Sequence, residues 1–118
     1  MAMPYKSFHE EIEDQKRHFE AVLIKLSNAT LVFFYEKEEM RLGTLAVAMP
    51  SFGERGCISS LLLGEKNMVL TRVLAERVAN ASNGIALVST YLPETKEAEA
   101  SPMLVKLVQR LIDKADLK

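Results

Sequence analysis

Cysteine is scarce in this sequence of 118 residues, where Cys57 is the only one. A lone cysteine cannot form a disulfide bond within the chain. Residues 1–6 also lack the apolar core of a secretory signal peptide. We therefore expect the protein to be made and kept in a reducing compartment, the cytoplasm and also the nucleus.

The sequence also lacks long apolar runs and an excess of charge of either sign. Its apolar runs, 31–35 and 61–63 among them, have the length of strands and fall far short of the ~20 residues that a membrane-spanning helix needs. The 15 basic residues nearly balance the 16 acidic ones, which gives a formal net charge of −1. Such a balance creates no long-range field for nucleic acid or an anionic membrane. We expect a soluble protein that binds neither.

The composition that remains is that of an ordinary globular domain, with 48% hydrophobic and 26% charged residues. A domain of this size buries roughly 60–70% of the surface that its unfolded chain exposes, which is enough to fold without disulfides or a structural metal. Two independent domains would each be too small. We therefore predict a single domain over residues 1–118.

The spacing of apolar residues predicts six strands and two helices. The first five strands are predicted at 7–14, 17–26, 29–35, 45–49 and 58–63. The first suits a sheet edge because its alternation is weak. The fourth, and the fifth apart from Ser59 and Ser60, are apolar runs typical of the sheet interior. The second becomes apolar on both faces toward its end, which indicates a covered sheet.

A helical period follows over residues 70–81, where apolar residues recur every three or four positions. Gly84 is well placed to end this helix in the left-handed conformation. Residues 85–91 return to the pattern of a strand. Ser101 and Pro102 are typical of the N-cap and the first position of a final helix.

The predicted order, β-β-β-β-β-α-β-α, places most strands in succession along the chain. Successive strands favour antiparallel pairing with the helices on one side, whereas a doubly wound parallel sheet alternates strands with helices. We therefore predict an α+β fold, in which a mostly antiparallel β-sheet system of about six strands has two helices packed on it.

Two histidine–glutamate pairs are candidate metal ligands. His9 and Glu11 lie two residues apart on a predicted strand, as do His18 and Glu20, so each pair shares a face and offers nitrogen and oxygen atoms. The pairs would form one site only if their strands paired in the matching register. Exposed strand faces carry histidine and glutamate routinely. We therefore predict no metal site and no cofactor.

No group of residues in the sequence combines a base, a nucleophile and an oxyanion donor, so we predict no catalytic residues and no enzymatic activity. Cys57 lacks a flanking nucleophile signature and is expected to act as a small buried hydrophobic residue. Ser59 and Ser60 lack the G-x-S-x-G elbow and are predicted strand residues. Residues 36–39, which are mostly acidic, are expected to form a solvated loop.

Four residues are predicted to bind a protein partner. Phe52 and Arg55 lie in a loop of turn formers, residues 50–56, and belong to the residue types enriched in interfaces. Alternatively, Phe52 folds back over the core as a plug. Val105 and Ile112 widen the apolar face of the final helix beyond what one sheet contact requires.

The same loop supports an alternative function, because Gly53-Glu54-Arg55-Gly56 matches the G-x-x-G clamp of RNA-binding KH modules. Three features count against it. Glu54 places a negative charge in the clamp, no basic cluster surrounds it, and a strand is predicted where a KH module needs a helix. A small RNA-binding module therefore remains the second hypothesis.

One block of the sequence, residues 43–64, resembles a known family. Leu45-Ala46-Val47-Ala48-Met49, then Ser60-Leu61-Leu62-Leu63-Gly64-Glu65, an amphipathic helix and Val88-Ser89-Thr90-Tyr91-Leu92 resemble the core of the proteasome assembly chaperone 4 family. The resemblance extends from about residue 7 to about residue 112. The sister family, proteasome assembly chaperone 3, is the second choice, since Arg41-Leu42-Gly43-Thr44-Leu45 is closer to its motif and Thr90-Tyr91 replaces the Tyr-Asn of chaperone 4.

The resemblance implies a chaperone without enzymatic activity that forms a heterodimer with proteasome assembly chaperone 3. It also implies that the pair binds the α5 subunit of the 20S proteasome, promotes formation of the α-ring and leaves before the particle matures. Composition and periodicity are compatible with this role but do not lead to it.

Overall fold

The computed structural model describes residues 4–51 and 57–117. Its elements follow the predicted order: β1 Lys6–Asp14, β2 Arg17–Lys25, β3 Ala29–Glu36, β4 Thr44–Pro50, β5 Cys57–Leu63, α1 Met68–Ser82, β6 Ile85–Tyr91 and α2 Glu97–Ala115. The strands form one sheet in the order β1-β2-β3-β6-β4-β5. β3 and β6 pair in parallel, and the other neighbouring pairs are antiparallel. The predicted α+β fold is confirmed.

Both helices pack on the same face of this sheet. α1 contacts β4, β6 and β5, and α2 contacts β1 and β2. The strand residues beneath them alternate, as in Phe19, Ala21 and Leu23 of β2, which are fully buried. In the β2–β3 register Ala21 lies opposite Phe34, another fully buried residue. One apolar core therefore fills the space between the sheet and the two helices.

The sheet order confirms that β1 is an edge strand and that β4 is an interior one. The prediction of an interior position for β5 is wrong, since β5 pairs with β4 alone and forms the opposite edge. An apolar run indicates that both faces of a strand are apolar. The run does not indicate how many neighbouring strands pair with that strand.

The end of α1 differs in detail from the prediction. Asn83 adopts the left-handed conformation, with φ 52°, and Gly84 does not. The Gly84 amide donates a hydrogen bond to the Ala79 carbonyl at 3.3 Å. Asparagine is the residue that most often replaces glycine at such a position, because its short polar side chain tolerates the left-handed region.

The start of α2 was predicted wrongly at Ser101, since the helix begins at Glu97 and contains Pro102. Pro102 is the sixth residue of α2, so its missing amide leaves the Ala98 carbonyl without the usual helical hydrogen bond. The residues before Pro102 nevertheless form a helical turn. That first turn is closed by the amides of Glu99 and Ala100, which donate to the Lys96 carbonyl at 3.0 and 2.9 Å.

The extra turn of α2 also stabilises α1. Glu97 Oε2 accepts the Leu70 amide at 2.8 Å. Leu70 lies in the first turn of α1, where helix amides have no partner within the helix. Because Glu97 and Leu70 are distant in sequence, no local sequence pattern predicts this contact.

The prediction of a solvated loop at 36–39 is wrong for its first residue, Glu36. Glu36 is only 4% exposed, whereas residues 37–39 are exposed. Its carboxylate accepts hydrogen bonds from the backbone amides of Glu94 and Thr95, at 2.8 and 3.1 Å. Burial is tolerated because the carboxylate oxygens have hydrogen-bond donors.

Within the described residues, neither α1 nor α2 combines the length and the apolar composition that crossing a membrane would require.

Candidate protein-interaction surface

The sheet face opposite the helices carries apolar side chains on which no helix or strand of the described residues packs. We call this surface the open sheet face. Successive strand residues point to opposite sides of a sheet, so the residues that alternate with the buried core residues lie on this face. The apolar members, all partly or fully exposed, are Val22, Ile24, Leu31, Phe33, Leu45, Val47, Met49, Ile58 and Leu87.

Strand register joins these side chains into a continuous patch. Leu31 lies opposite Leu87, and Leu87 lies opposite Val47, so one apolar row crosses β3, β6 and β4. Met49 lies opposite Ile58 at the β5 edge, and these two side chains are 44% and 59% exposed. A large contiguous apolar patch on a soluble domain marks a site of interaction.

The sequence contained the signal for this surface, although the prediction interpreted it differently. Apolar residues on both faces of β2 indicated a covered sheet, but two helices on one side leave the second face uncovered within the described residues. A count of the elements available to cover a two-faced apolar sheet would have found the surface.

The β1–β2 side of the open sheet face is polar. The β1–β2 register brings the two predicted histidine–glutamate pairs together there, with His9 Nε2 2.8 Å from Glu20 Oε1 and His18 Nε2 3.2 Å from Glu11 Oε1. The Tyr35 phenol also donates to Glu20 Oε1 at 3.4 Å. Burial, and secondarily the charge of Glu20, raises the pKa of Tyr35, so the phenol keeps its proton and remains a donor.

The four predicted contact residues fall into two groups. Phe52 and Arg55 lie outside the described residues. Val105 is partly buried and Ile112 is 8% exposed, and both pack with the core. α2 contacts β1, β2 and α1, so its wide apolar stripe is used largely within the chain. Partner binding by all four residues stays a prediction.

The candidate nucleophiles lie on β5, as predicted for Ser59 and Ser60. Cys57 is partly buried rather than fully buried, and its thiol donates to the Glu76 carbonyl at 3.4 Å. Burial, followed by the charge of Glu76, raises the pKa of the Cys57 thiol. A protonated thiol is a poor nucleophile. Ser59 contacts the Glu76 carboxylate and accepts from Arg72 Nε at 3.1 Å.

A second set of exposed apolar side chains lies on α1, on the other side of the sheet. Val69 and Val73 are 69% and 45% exposed. They offer a control surface of similar chemistry.

Comparison with known proteins finds this fold in a solved structure. No protein-family model matches the chain, and no curated protein matches it. The chain is similar to a chain in the crystal structure of a chaperone complex for yeast 20S proteasome assembly, with a TM-score of 0.72, 14% identical residues and coverage of 97% of each chain. At this identity the similarity shows a shared fold.

Proposed function

We propose that this chain is a chaperone for assembly of the 20S proteasome and that it acts by binding other proteins. Its similarity in fold to the yeast chaperone complex, over 97% of both chains, is the observation that carries the proposal. The family resemblance of residues 43–64 points to the same role. The open sheet face supplies a surface suited to it.

The proposed partner at the open sheet face is a sister chaperone of similar fold, proteasome assembly chaperone 3. Six strands spaced about 4.8 Å apart make a face roughly 25 Å wide. A single helix is only about 10 Å across and would leave most of that width exposed. Another sheet, packed face to face at about 10 Å, covers it in one layer.

The pair is proposed to bind the α5 subunit and to promote formation of the α-ring. The loop at 50–56 joins two strands that contribute Met49 and Ile58 to the open sheet face. Phe52 and Arg55 are therefore proposed contacts for the sister chaperone or for α5, and Val105 and Ile112 are proposed as further contacts. We propose that the chain acts in the cytoplasm and also in the nucleus.

A role without catalysis agrees with the chemistry of β5. The raised pKa of Cys57 keeps its thiol protonated, and the Ser59 hydroxyl is engaged by Arg72 and Glu76. The similar solved structure is itself a chaperone complex.

Pairing is tested with two matched double variants. Met49→Lys with Ile58→Lys places charges on exposed positions of the open sheet face, and Val69→Lys with Val73→Lys does the same on α1. Each variant is mixed with the sister chaperone, and the mass of the complex is measured by light scattering after size exclusion. The open-face variant should lose the heterodimer because buried unpaired charges are costly.

The α1 variant should keep the heterodimer, and its complex should still bind purified α5. Equal pairing by both variants would contradict the proposed surface. Loss of pairing by both would count against it as well, if thermal melts show that both remain folded.

RNA binding remains the second hypothesis, although its Gly53–Gly56 loop lies outside the described residues. The element that follows is strand β5, where a KH module needs a helix. A filter-binding assay with RNA at several salt concentrations tests it. A nucleic-acid-binding protein would show an affinity that falls steeply with salt, and we expect no such binding.

A further inference from the structure

The β1–β2 corner of the open sheet face holds a cluster of metal-ligand residues. In the antiparallel register Glu11 lies opposite Glu20, and Glu13 lies opposite His18. This is the matching register that a shared site requires. The turn after β3 adds Glu38 to the same corner.

Three ligand atoms of this cluster converge. One atom each from His18, Glu20 and Glu38 lies within 4.8 Å of the other two. His18 Nε2 and Glu20 Oε2 are 3.5 Å apart. Ligand atoms bound to a tetrahedral Zn²⁺ at 2.0–2.2 Å lie about 3.4 Å from one another. The His18–Glu20 spacing already fits, and exposed Glu38 needs only a small movement of its side chain.

Neighbouring side chains orient the central ligand Glu20. Its Oε1 accepts hydrogen bonds from His9 Nε2 at 2.8 Å and from the Tyr35 phenol at 3.4 Å. These contacts hold Oε1 and present Oε2 to His18. Hydrogen bonds of this kind fix ligand geometry in protein metal sites.

His18 is oriented in a similar way. Its Nδ1 lies 3.4 Å from Glu13 Oε1. The other ring nitrogen, Nε2, then faces the carboxylates of Glu11 and Glu20, at 3.2 and 3.5 Å. A neutral imidazole that carries its proton on Nδ1, the nitrogen near Glu13, offers the lone pair of Nε2 as a metal ligand.

The local charge also favours a cation. Glu11, Glu13, Glu20 and Glu38 bring four carboxylates to this corner. In the residues that the structure describes, the ion pairs of lysine and arginine involve other carboxylates. A divalent ion would offset repulsion that no ion pair with a lysine or arginine of the described residues relieves.

We propose that His18, Glu20 and Glu38 bind a divalent transition-metal ion, with Zn²⁺ as the best fit and Glu11 or water in the fourth position. One imidazole with carboxylates suits Zn²⁺, whereas Mg²⁺ and Ca²⁺ prefer oxygen ligands alone. The ion would link β2 to the turn after β3, and it would also link the edge strand β1 where Glu11 takes the fourth position. The site does not depend on the proposed chaperone function.

The test is calorimetric titration of the untagged full chain with ZnCl₂ after removal of metal by a chelator. We expect saturation at one ion per chain and no comparable binding of MgCl₂. His18→Ala and Glu20→Gln should each weaken Zn²⁺ binding by about tenfold or more. Glu65→Gln, an exposed carboxylate outside the cluster, should bind as the unmodified chain does.

Absence of Zn²⁺ binding by the unmodified chain would overturn the site. Binding that survives both His18→Ala and Glu20→Gln would overturn it too, because other residues would then hold the ion. Circular dichroism of each variant tests whether it is folded. Glu38→Gln changes the proposed ligand on an exposed turn and leaves the sheet intact, so weaker Zn²⁺ binding by this variant would not come from a disrupted sheet.

Discussion

The hydroxyl of Thr95 donates a 2.6 Å hydrogen bond to Oε2 of Glu36, 59 residues earlier in the chain. Both residues are buried, at 3% and 4% exposure. The Thr95 amide reaches Oε1 of the same carboxylate at 3.1 Å, beside the amide of Glu94. One side chain thus connects the end of β3 to the segment that leads from β6 into α2.

We predict that Glu36→Ala lowers the free energy of unfolding by about 2–4 kcal/mol, since it leaves two backbone donors and a hydroxyl without their acceptor. Glu36→Gln keeps one acceptor oxygen and should cost less. Urea unfolding followed by circular dichroism measures both. Glu39→Ala, on the exposed part of the same loop, is the control, and an equal effect of Glu36→Ala and Glu39→Ala would contradict the structural role.

Two glycines should respond in opposite ways to substitution by alanine. Gly64 has φ 97°, and a Cβ there would lie 2.6 Å from the Thr44 backbone. Gly64→Ala should therefore destabilise the chain by more than about 1 kcal/mol. At Gly84 a Cβ meets nothing closer than 3.8 Å, so Gly84→Ala should be neutral or stabilising by about 0.4–1 kcal/mol. Thermal melts compare the two, and a strong loss at Gly84 would restore the left-handed assignment that the sequence predicted.

The Cys57 thiol should react slowly with iodoacetamide. Its pKa is raised, first by burial and then by Glu76, so thiolate forms only at a higher pH than in the unfolded chain. The folded state therefore holds this proton more tightly. The resulting stabilisation is present below the unfolded-state pKa and is lost as pH rises through the folded-state pKa.

Alkylation followed by mass spectrometry across a pH series measures this reactivity in the folded chain and in urea. Glu76→Gln should shift the folded profile to lower pH. A folded profile that coincides with the unfolded one would show that Cys57 is not shielded.

We predict that Phe52→Ala weakens complex formation by roughly 2 kcal/mol while the isolated chain melts almost as before, because Phe52 acts as an interface anchor. If Phe52 is a plug over the core, the free chain loses roughly 3 kcal/mol of stability instead. Thermal melts beside a binding isotherm distinguish the two. A destabilised chain with near-normal affinity for both partners would rule out the contact role.

The sequence predicted the elements of this fold well because their signals are local. Strand alternation and the helical period of α1 arise from neighbours along the chain. The burial of Glu36 and the early start of α2 depend on partners far away, Thr95 and Leu70 respectively. Such contacts leave no periodic pattern, and a surface glutamate and a buried one look alike in sequence.

The candidate surfaces were predictable only in part. Apolar residues on both faces of β2 and helices on one side of the sheet were both predicted, but the strand order and register were needed to show which side chains form the open sheet face. Likewise, the His9 and His18 pairs were visible, and the β1–β2 register was needed to bring them together. The predicted loop contacts Phe52 and Arg55 lie outside the described residues, so their role stays a prediction.

The most direct test of the central claim follows 20S proteasome assembly in the protein's own cells after depletion of the chain. Cells are complemented with the unmodified chain, with Met49→Lys and Ile58→Lys together, or with Val69→Lys and Val73→Lys together, at matched expression. Native gels probed for α subunits then compare α-ring intermediates with mature 20S particles. The account predicts that the unmodified chain and the α1 variant restore α-ring formation, whereas depletion and the open-face variant leave incomplete rings. Normal assembly in depleted cells, or full rescue by the open-face variant, would contradict it.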